Sequence, residues 1–427
     1  MNSVAFSKAV AVFALTTTLA SSPLLMAQAG TLDPTFGTGG IVTTPNTTTF
    51  CEQITSCSIA IQSDGKIVVA GGATVSSNGA QEGALARYTT TGSLDTTFGT
   101  GGLVLQSLVD GGVFSGLAIQ SDGKILTVAP DNDFKLAVFR YNSNGTPDTT
   151  FGTDGIASVT VSLVFTTGPL ALLPDGKILA TANNTLVRLT SSGQLDTSFG
   201  TGGLAPIVNS GALGLIPGGK ILMTSSSTFA VGGVARYNAS GSLDTTFGVV
   251  GQAPSFGPAA ALAILSDGKI VVGNTLLSGT ASAVGSVTPQ GFVLTRYNSN
   301  GTIDATFGTR GAVVTNFPGE AYSVVFALGL QSSGDIVAAG VTQATNPLFG
   351  TSASDFALAR YTPSGQLDTT FGTGGLVTTA FGTNGSNLAA VSALAIQSDG
   401  DIVVVGYDNP SAGGASNGFT LARYLGQ

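Results

Sequence analysis

The chain has 427 residues, of which 61 are Gly and only 9% are charged, and it contains no His and no Trp. Its 15 Lys+Arg against 23 Asp+Glu leave a net charge of −8, which gives no basic surface to neutralise phosphates and argues against nucleic acid as a partner. The lack of His removes the commonest general base, the usual catalytic-zinc ligand and every Ser-His or Cys-His pair, while the wealth of Gly, Val, Thr and Phe suits short strands joined by turns.

In chain order, residues 1–29 read as an export signal. Lys8 and the amino terminus make a weakly positive start, Ala9 to Ala20 is an apolar stretch, and Ala27-Gln28-Ala29 is an Ala-x-Ala cleavage site ahead of Gly30. The apolar stretch is too short and too rich in Thr to span a bilayer well. No later segment looks like an anchor, so residues 30–427 are expected to form one domain without a membrane span, in the periplasm, at the cell surface or outside the cell. Cys51 and Cys57 fall in one loop, where an oxidising compartment favours a local disulfide.

Three elements then recur in a fixed order. The first is a pair of apolar runs around Asp-Gly or a near equivalent, from IAIQSDGKIVVAG to LAIQSDGDIVVVG. It predicts a hairpin with a two-residue turn, positive in φ at both positions. The second is Leu-Ala-Arg-Tyr or a variant, with its arginine at Arg87, Arg140, Arg188, Arg236, Arg296, Arg360 and Arg423. The third is a Leu-Asp-x-Thr-Phe-Gly segment, with its aspartate at Asp33, Asp95, Asp148, Asp196, Asp244, Asp304 and Asp368. Every aspartate after Asp33 lies eight residues past an arginine, and successive aspartates are 48 to 64 residues apart, which suits a unit of four short strands.

Antiparallel units of four strands that cannot bury both faces alone stack as propeller blades. The expected fold is therefore all-β, a seven-bladed β-propeller of four-stranded antiparallel blades. Its last blade takes three strands from the C-terminal end and the fourth from GTLDPTFGTGG at residues 30–40, so the ring closes and no sheet edge stays open. The pattern QxDGKIvvaG … LaRYnxxGxLDxTFGxxG resembles the bacterial delta-60 repeat over essentially all of residues 30–427. That resemblance implies an exported β-propeller and little about activity, since the family carries no general catalytic motif. PGGK at Pro217 to Lys220 and LVRL at Leu186 to Leu189 depart from the pattern.

If the turn after Tyr88 sets Leu94 opposite it, Arg87 falls opposite Asp95. The same register pairs Arg140 with Asp148, Arg188 with Asp196, Arg236 with Asp244, Arg296 with Asp304 and Arg360 with Asp368, and ring closure pairs Arg423 with Asp33. These are expected to be structural ion pairs, and the phenylalanine three residues after each aspartate is expected to pack between blades. The FGTGG runs lack the Lys-Ser/Thr and helix of a phosphate loop and read as bulges or tight turns.

Length variation points elsewhere. The connection from hairpin to arginine strand and the one into the next hairpin both vary and emerge on one face, the place where a rigid scaffold carries a binding site. Blades five, six, seven and one have the longest such connections, so that sector should stand taller. Carboxylates outside the repeat positions, Glu52, Glu82, Asp110, Asp131, Asp133, Glu320, Asp355 and Asp408, are the candidate binding-face residues. Their densest cluster, Pro130 to Phe134, raises Ca²⁺ as the one conceivable cofactor. The expected function is a monomeric, non-enzymatic binding or scaffold propeller for a protein, peptide or glycan, without catalytic residues. The alternative is a carbohydrate-active lyase or hydrolase that uses loop carboxylates.

Overall fold

A computed structural model of the chain describes residues 28–44, 49–51, 57–74, 81–108, 112–161, 164, 167–208, 211–225, 232–254, 257, 259–274, 291–344, 353–381, 387–409 and 418–427. Every element among them is a β-strand, and no helix there is long and apolar enough to cross a membrane. The expected signal at residues 1–29 lies, up to residue 27, outside the described residues.

Residues 116–159 show how the letters make a unit. Gly116–Ile119 and Ile125–Pro130 form the hairpin, Leu136–Tyr141 is the arginine strand and Ile156–Val159 the fourth, in that order across one antiparallel sheet. Both middle strands are buried along their whole length. That is why they read as continuous apolar runs rather than alternating ones: both faces of the sheet are covered by neighbouring sheets.

The hairpin turn differs from the expectation. Gln120 N donates to Lys124 O and Gly123 N to Gln120 O, which leaves three loop residues, and of these only Gly123 has a positive φ, +83°. Asp122 keeps a negative φ because its Oδ1 accepts from Lys124 N at 3.2 Å, so a type I turn closed by a left-handed Gly replaces the two-residue primed turn. The turn between the third and fourth strands repeats this design, with Asn142 N on Thr146 O and Gly145 at φ +87°.

Four sheets have four strands, one has five and one has eight. The eight-stranded sheet is two four-stranded groups joined by a single parallel bridge, Ser354 to Leu388. In one of these groups Ile41–Thr43 pairs antiparallel with Thr420–Tyr424, setting Ile41 against Ala422 and Thr43 against Thr420.

The core lies between sheets. One cluster, for example, combines Phe36, Val69 and Tyr88 with Val403, Val405 and Phe419. The phenylalanine of each Asp-x-Thr/Ser-Phe-Gly segment, from Phe36 to Phe371, has no exposed surface, and each such burial contributes about 2 kcal/mol.

Strand length is uneven. The hairpin strands Tyr322–Leu330, Ile336–Gln343, Leu388–Ile396 and Ile402–Asn409 reach eight or nine residues, as does Ile67–Thr74. Those between residues 116 and 274 have four to six.

Candidate functional site

Arg188 stands for its set. Its Nε donates to Asp196 Oδ2 at 2.8 Å, Nη2 to Ser198 Oγ at 3.1 Å and Nη1 to Ala239 O of the next unit at 2.6 Å. The guanidinium lies 4.5 Å from the centroid of the Phe199 ring. Asp196 also accepts from Ser198 N and Oγ, at 3.1 and 2.6 Å, and pairs with Lys177 Nζ at 3.2 Å. Arginine is the residue type for this place, because its planar fork can bond three partners while its face stacks on an aromatic ring.

The remaining Nε-to-Oδ2 distances are 2.9 Å for Arg87 and Asp95, 2.7 Å for Arg140 and Asp148, 2.7 Å for Arg236 and Asp244, 2.8 Å for Arg296 and Asp304, 2.7 Å for Arg360 and Asp368, and 2.7 Å for Arg423 and Asp33. Arg423 Nη1 also donates to Thr90 O at 2.7 Å, tying the last strand to the first complete unit. All seven arginines are buried and bonded within the fold, so this cluster presents no guanidinium fork to a ligand.

The electrostatics follow. The Thr97 hydroxyl, against the cost of burial and helped by Thr97 N–H, Lys66 and Arg87, holds Asp95 down to about 2. At Asp148 burial pushes up, yet Thr150, Arg140 and Lys124 together hold the group at about 2. Asp196, Asp244, Asp304, Asp33 and Asp368 are lowered as well.

The candidate loop carboxylates behave differently. Glu82 accepts from Ser107 Oγ at 2.7 Å, across the sheet. Asp131 Oδ1 closes a tight turn by accepting from Asp133 N and Lys135 N, both at 2.9 Å, and exposed Asp133 pairs with Lys135 Nζ at 2.8 Å. The densest acidic cluster is thus a turn device, and no group of three or more His, Cys, Asp or Glu that could hold a metal occurs among the described residues. Asp408 is buried and accepts from Asn387 Nδ2 at 2.6 Å.

Glu320 is pushed up by burial and by the charge of Asp355, and Asp355 is pushed up by its own burial. Glu52 and Asp110 lie outside the described residues. Cys51 and Cys57 are bonded at 2.03 Å and buried.

Two further features escape the sequence reading. Half-buried Tyr322, Phe326 and Tyr407 gather on Val324, Val341 and Ala390, in the long hairpin strands Tyr322–Leu330, Ile336–Gln343, Leu388–Ile396 and Ile402–Asn409. A cavity of about 500 Å³ is lined by residues 57–58, 115–117, 167–170, 211–213, 260–262, 326–328 and 392–394, with no charged side chain among them. These segments open each hairpin, just ahead of the conserved-looking apolar run, where the repeats diverge into Cys, Ser, Gly, Ala and Phe. That divergence at a fixed repeat position was the available signal.

Comparison with known proteins bears on the fold. A family model described as domain of unknown function (DUF5122) beta-propeller matches residues 62–98, 120–151, 173–199, 217–247, 265–307 and 331–371, just under half of the chain. Each match runs from the hairpin turn to the phenylalanine after the aspartate.

No curated protein matches the sequence. Among solved structures, the extracellular domain of BT4673 from B. thetaiotaomicron is similar at 13% identity and TM-score 0.45, over 90% of this chain and 39% of that one. PorZ, a surface component of the type-IX secretion system of Porphyromonas gingivalis, is similar at 12% and 0.44, over 88% and 47%. The PQQ-bound aldose sugar dehydrogenase from Streptomyces coelicolor is similar at 13% and 0.41, over 73% and 93%. The chain spans about two fifths of the length of the first of these. With its antiparallel four-stranded sheets and six family matches, the chain is a β-propeller repeat protein.

Proposed function

We propose that the chain is an exported, non-enzymatic binding or scaffold propeller, of seven blades in a closed ring, that holds a protein, peptide or glycan on the face bearing the variable connections. Closure is supported by the innermost strands, which touch in sequence from Ser58–Ile61 through Gly116–Ile119 and on to Leu388–Ile396, and that last strand touches Ser58–Ile61. The bonds from Arg423 to Asp33 and Thr90, and the pairing of Ile41–Thr43 with Thr420–Tyr424, support it from the outside of the sheets. Export is supported by the Ala-x-Ala signal in the sequence and by a buried disulfide.

The observation that carries the binding face is its charge. At the turn end, the repeat arginines and lysines are matched by aspartates. Among the described residues at the other end, Glu82, Asp131, Asp133, Glu320 and Asp355 face a single base, Lys135, while Asp408 is buried on Asn387. A surface of surplus carboxylates beside the half-buried aromatics Tyr322 and Tyr407 suits a partner that brings hydrogen-bond donors or positive charge and some apolar surface.

The raised Glu320 beside Asp355 is what favours the second reading, a carbohydrate-active enzyme, because a general acid needs its proton near neutral pH. A glycan array and a pull-down from the producing cell's envelope, run with the wild type and with Glu320→Gln plus Asp355→Asn, test the first reading: bound partners are expected to be lost in the double variant. Turnover of a polysaccharide by the wild type, lost in the same variant, replaces it with the second.

A further inference from the structure

We propose that the central cavity is a second binding site, shaped for a neutral sugar ring. The inference rests on the closed-ring reading, since its wall is drawn from the innermost strands of every unit. At about 500 Å³ the cavity falls within the range of roughly 300–1,000 Å³ typical of small-molecule sites.

Its wall carries no Asp, Glu, Lys or Arg, so a charged ligand would lose its hydration there without gaining a counter-charge. The wall is also two-sided. Ser58, Ser115 and Thr167 come from three consecutive units and form a hydroxyl arc. Ser58 Oγ donates to Ser115 O at 2.9 Å and Ser115 Oγ meets Thr167 Oγ1 at 2.6 Å, while the Ser392 hydroxyl is buried away from the cavity and takes no part in the arc. Each hydroxyl is one donor and two acceptor sites, so this arc has capacity to spare.

The opposite arc, from three further units, offers Gly211, Ala260 and the half-buried ring of Phe326. A purely apolar ligand would waste the hydroxyl arc, and a purely polar one would gain nothing from Phe326. A neutral pyranose satisfies both walls, with its rim of hydroxyls toward Ser115 and Thr167 and a C–H face on the aromatic ring. The ring could enter free or as the terminal residue of a glycan held on the loop face, and the chemistry is the same in either case.

Calorimetric titration of the full chain with neutral methyl glycosides of glucose, galactose and N-acetylglucosamine, and with glucuronate as the charged control, tests the assignment. At least one neutral glycoside is expected to bind and glucuronate is not. Ala260→Phe fills the cavity without removing a hydroxyl and should abolish binding. Ser115→Ala and Phe326→Leu, which keep the packing, should each weaken binding about fivefold. Binding by the neutral oligosaccharide but not by its methyl glycoside marks the glycan end as the source.

The assignment is overturned if no neutral sugar in either form binds, if glucuronate binds equally well, or if all three variants bind as the wild type does with an unchanged thermal midpoint. The glycan array read on Ala260→Phe separates the two failures. Array binding that persists there while no methyl glycoside binds the wild type ends the cavity assignment alone; array binding that is lost only on Glu320→Gln plus Asp355→Asn leaves the loop-face reading intact.

Discussion

The two ends of the strands are built on opposite principles. At the turn end, seven copies of one Arg–Asp–Thr/Ser–Phe cluster spend every charge on the fold, each aspartate bonded by its arginine and by the hydroxyl two residues on. At the other end the connections differ in length, and carboxylates such as Glu320 and Asp355 sit half-buried with no lysine or arginine paired to them among the described residues. Repetition at one end buys the rigidity that lets the other end vary.

The comparison breaks most visibly if the turn end does not tie the chain's two ends together. Deleting residues 30–44 removes Asp33, Phe36 and the strand Ile41–Thr43, and leaves the edge of Thr420–Tyr424 open. The expected outcome is loss of the monomer in size-exclusion chromatography and a lower, broader calorimetric transition. A monomer with an unchanged midpoint counts against the closed ring.

Acid acts next. The repeat aspartates have lowered pKa values, to about 2 at Asp95 and Asp148, so the unfolded chain binds their protons first. Their stabilisation is complete above the unfolded carboxylate value of about 4 and is lost as pH falls from there to about 2. Urea midpoints should fall steeply across that window, and a flat profile would separate the aspartates from stability.

A single site sharpens the picture further. Arg296 is buried and bonds Asp304, while Lys269 reaches the same carboxylate at 3.1 Å from a third-exposed position. Arg296→Ala should cost about 3–5 kcal/mol, because it leaves a buried carboxylate short of its main partner, and Lys269→Ala about 0–1 kcal/mol. Equal costs in denaturant titrations would mean that the arginine fork is not special.

The smallest effect belongs to the other end. Glu320 is raised, so its charge opposes folding once pH rises past the unfolded carboxylate value. Glu320→Gln should therefore leave stability at neutral pH unchanged or raise it by less than about 1 kcal/mol. A clear loss would show that Glu320 serves the fold.

How much of this the letters could give depends on what repeats. The all-β architecture is legible because each unit presents its two buried strands as continuous apolar runs, such as KILTVAP at residues 124–130, bounded by Gly turns. The eight-residue step from Arg87 to Asp95 is fixed by one three-residue turn, closed by Gly92 at φ +87°.

The turn type departs from the two-residue expectation, since Asp-Gly also fits a longer turn in which the Asp side chain caps the backbone, as Asp64 Oδ1 does for Lys66 N. The cavity wall left only a faint trace in the letters, as divergence at one repeat position. Ser115, Ala260 and Phe326 hold one structural position but share no chemistry, and only the folded structure brings them together. The aromatics Tyr322 and Tyr407 lie in strand extensions that have no counterpart in the shorter units.

Asp33 and Arg423, 390 residues apart, make the same contact as Asp196 and Arg188. A double-mutant cycle in solution, with each residue changed to Ala singly and together, measures it. Coupling of about 1–3 kcal/mol is expected at both pairs. Coupling at Arg188 and Asp196 with none at Arg423 and Asp33 would contradict it.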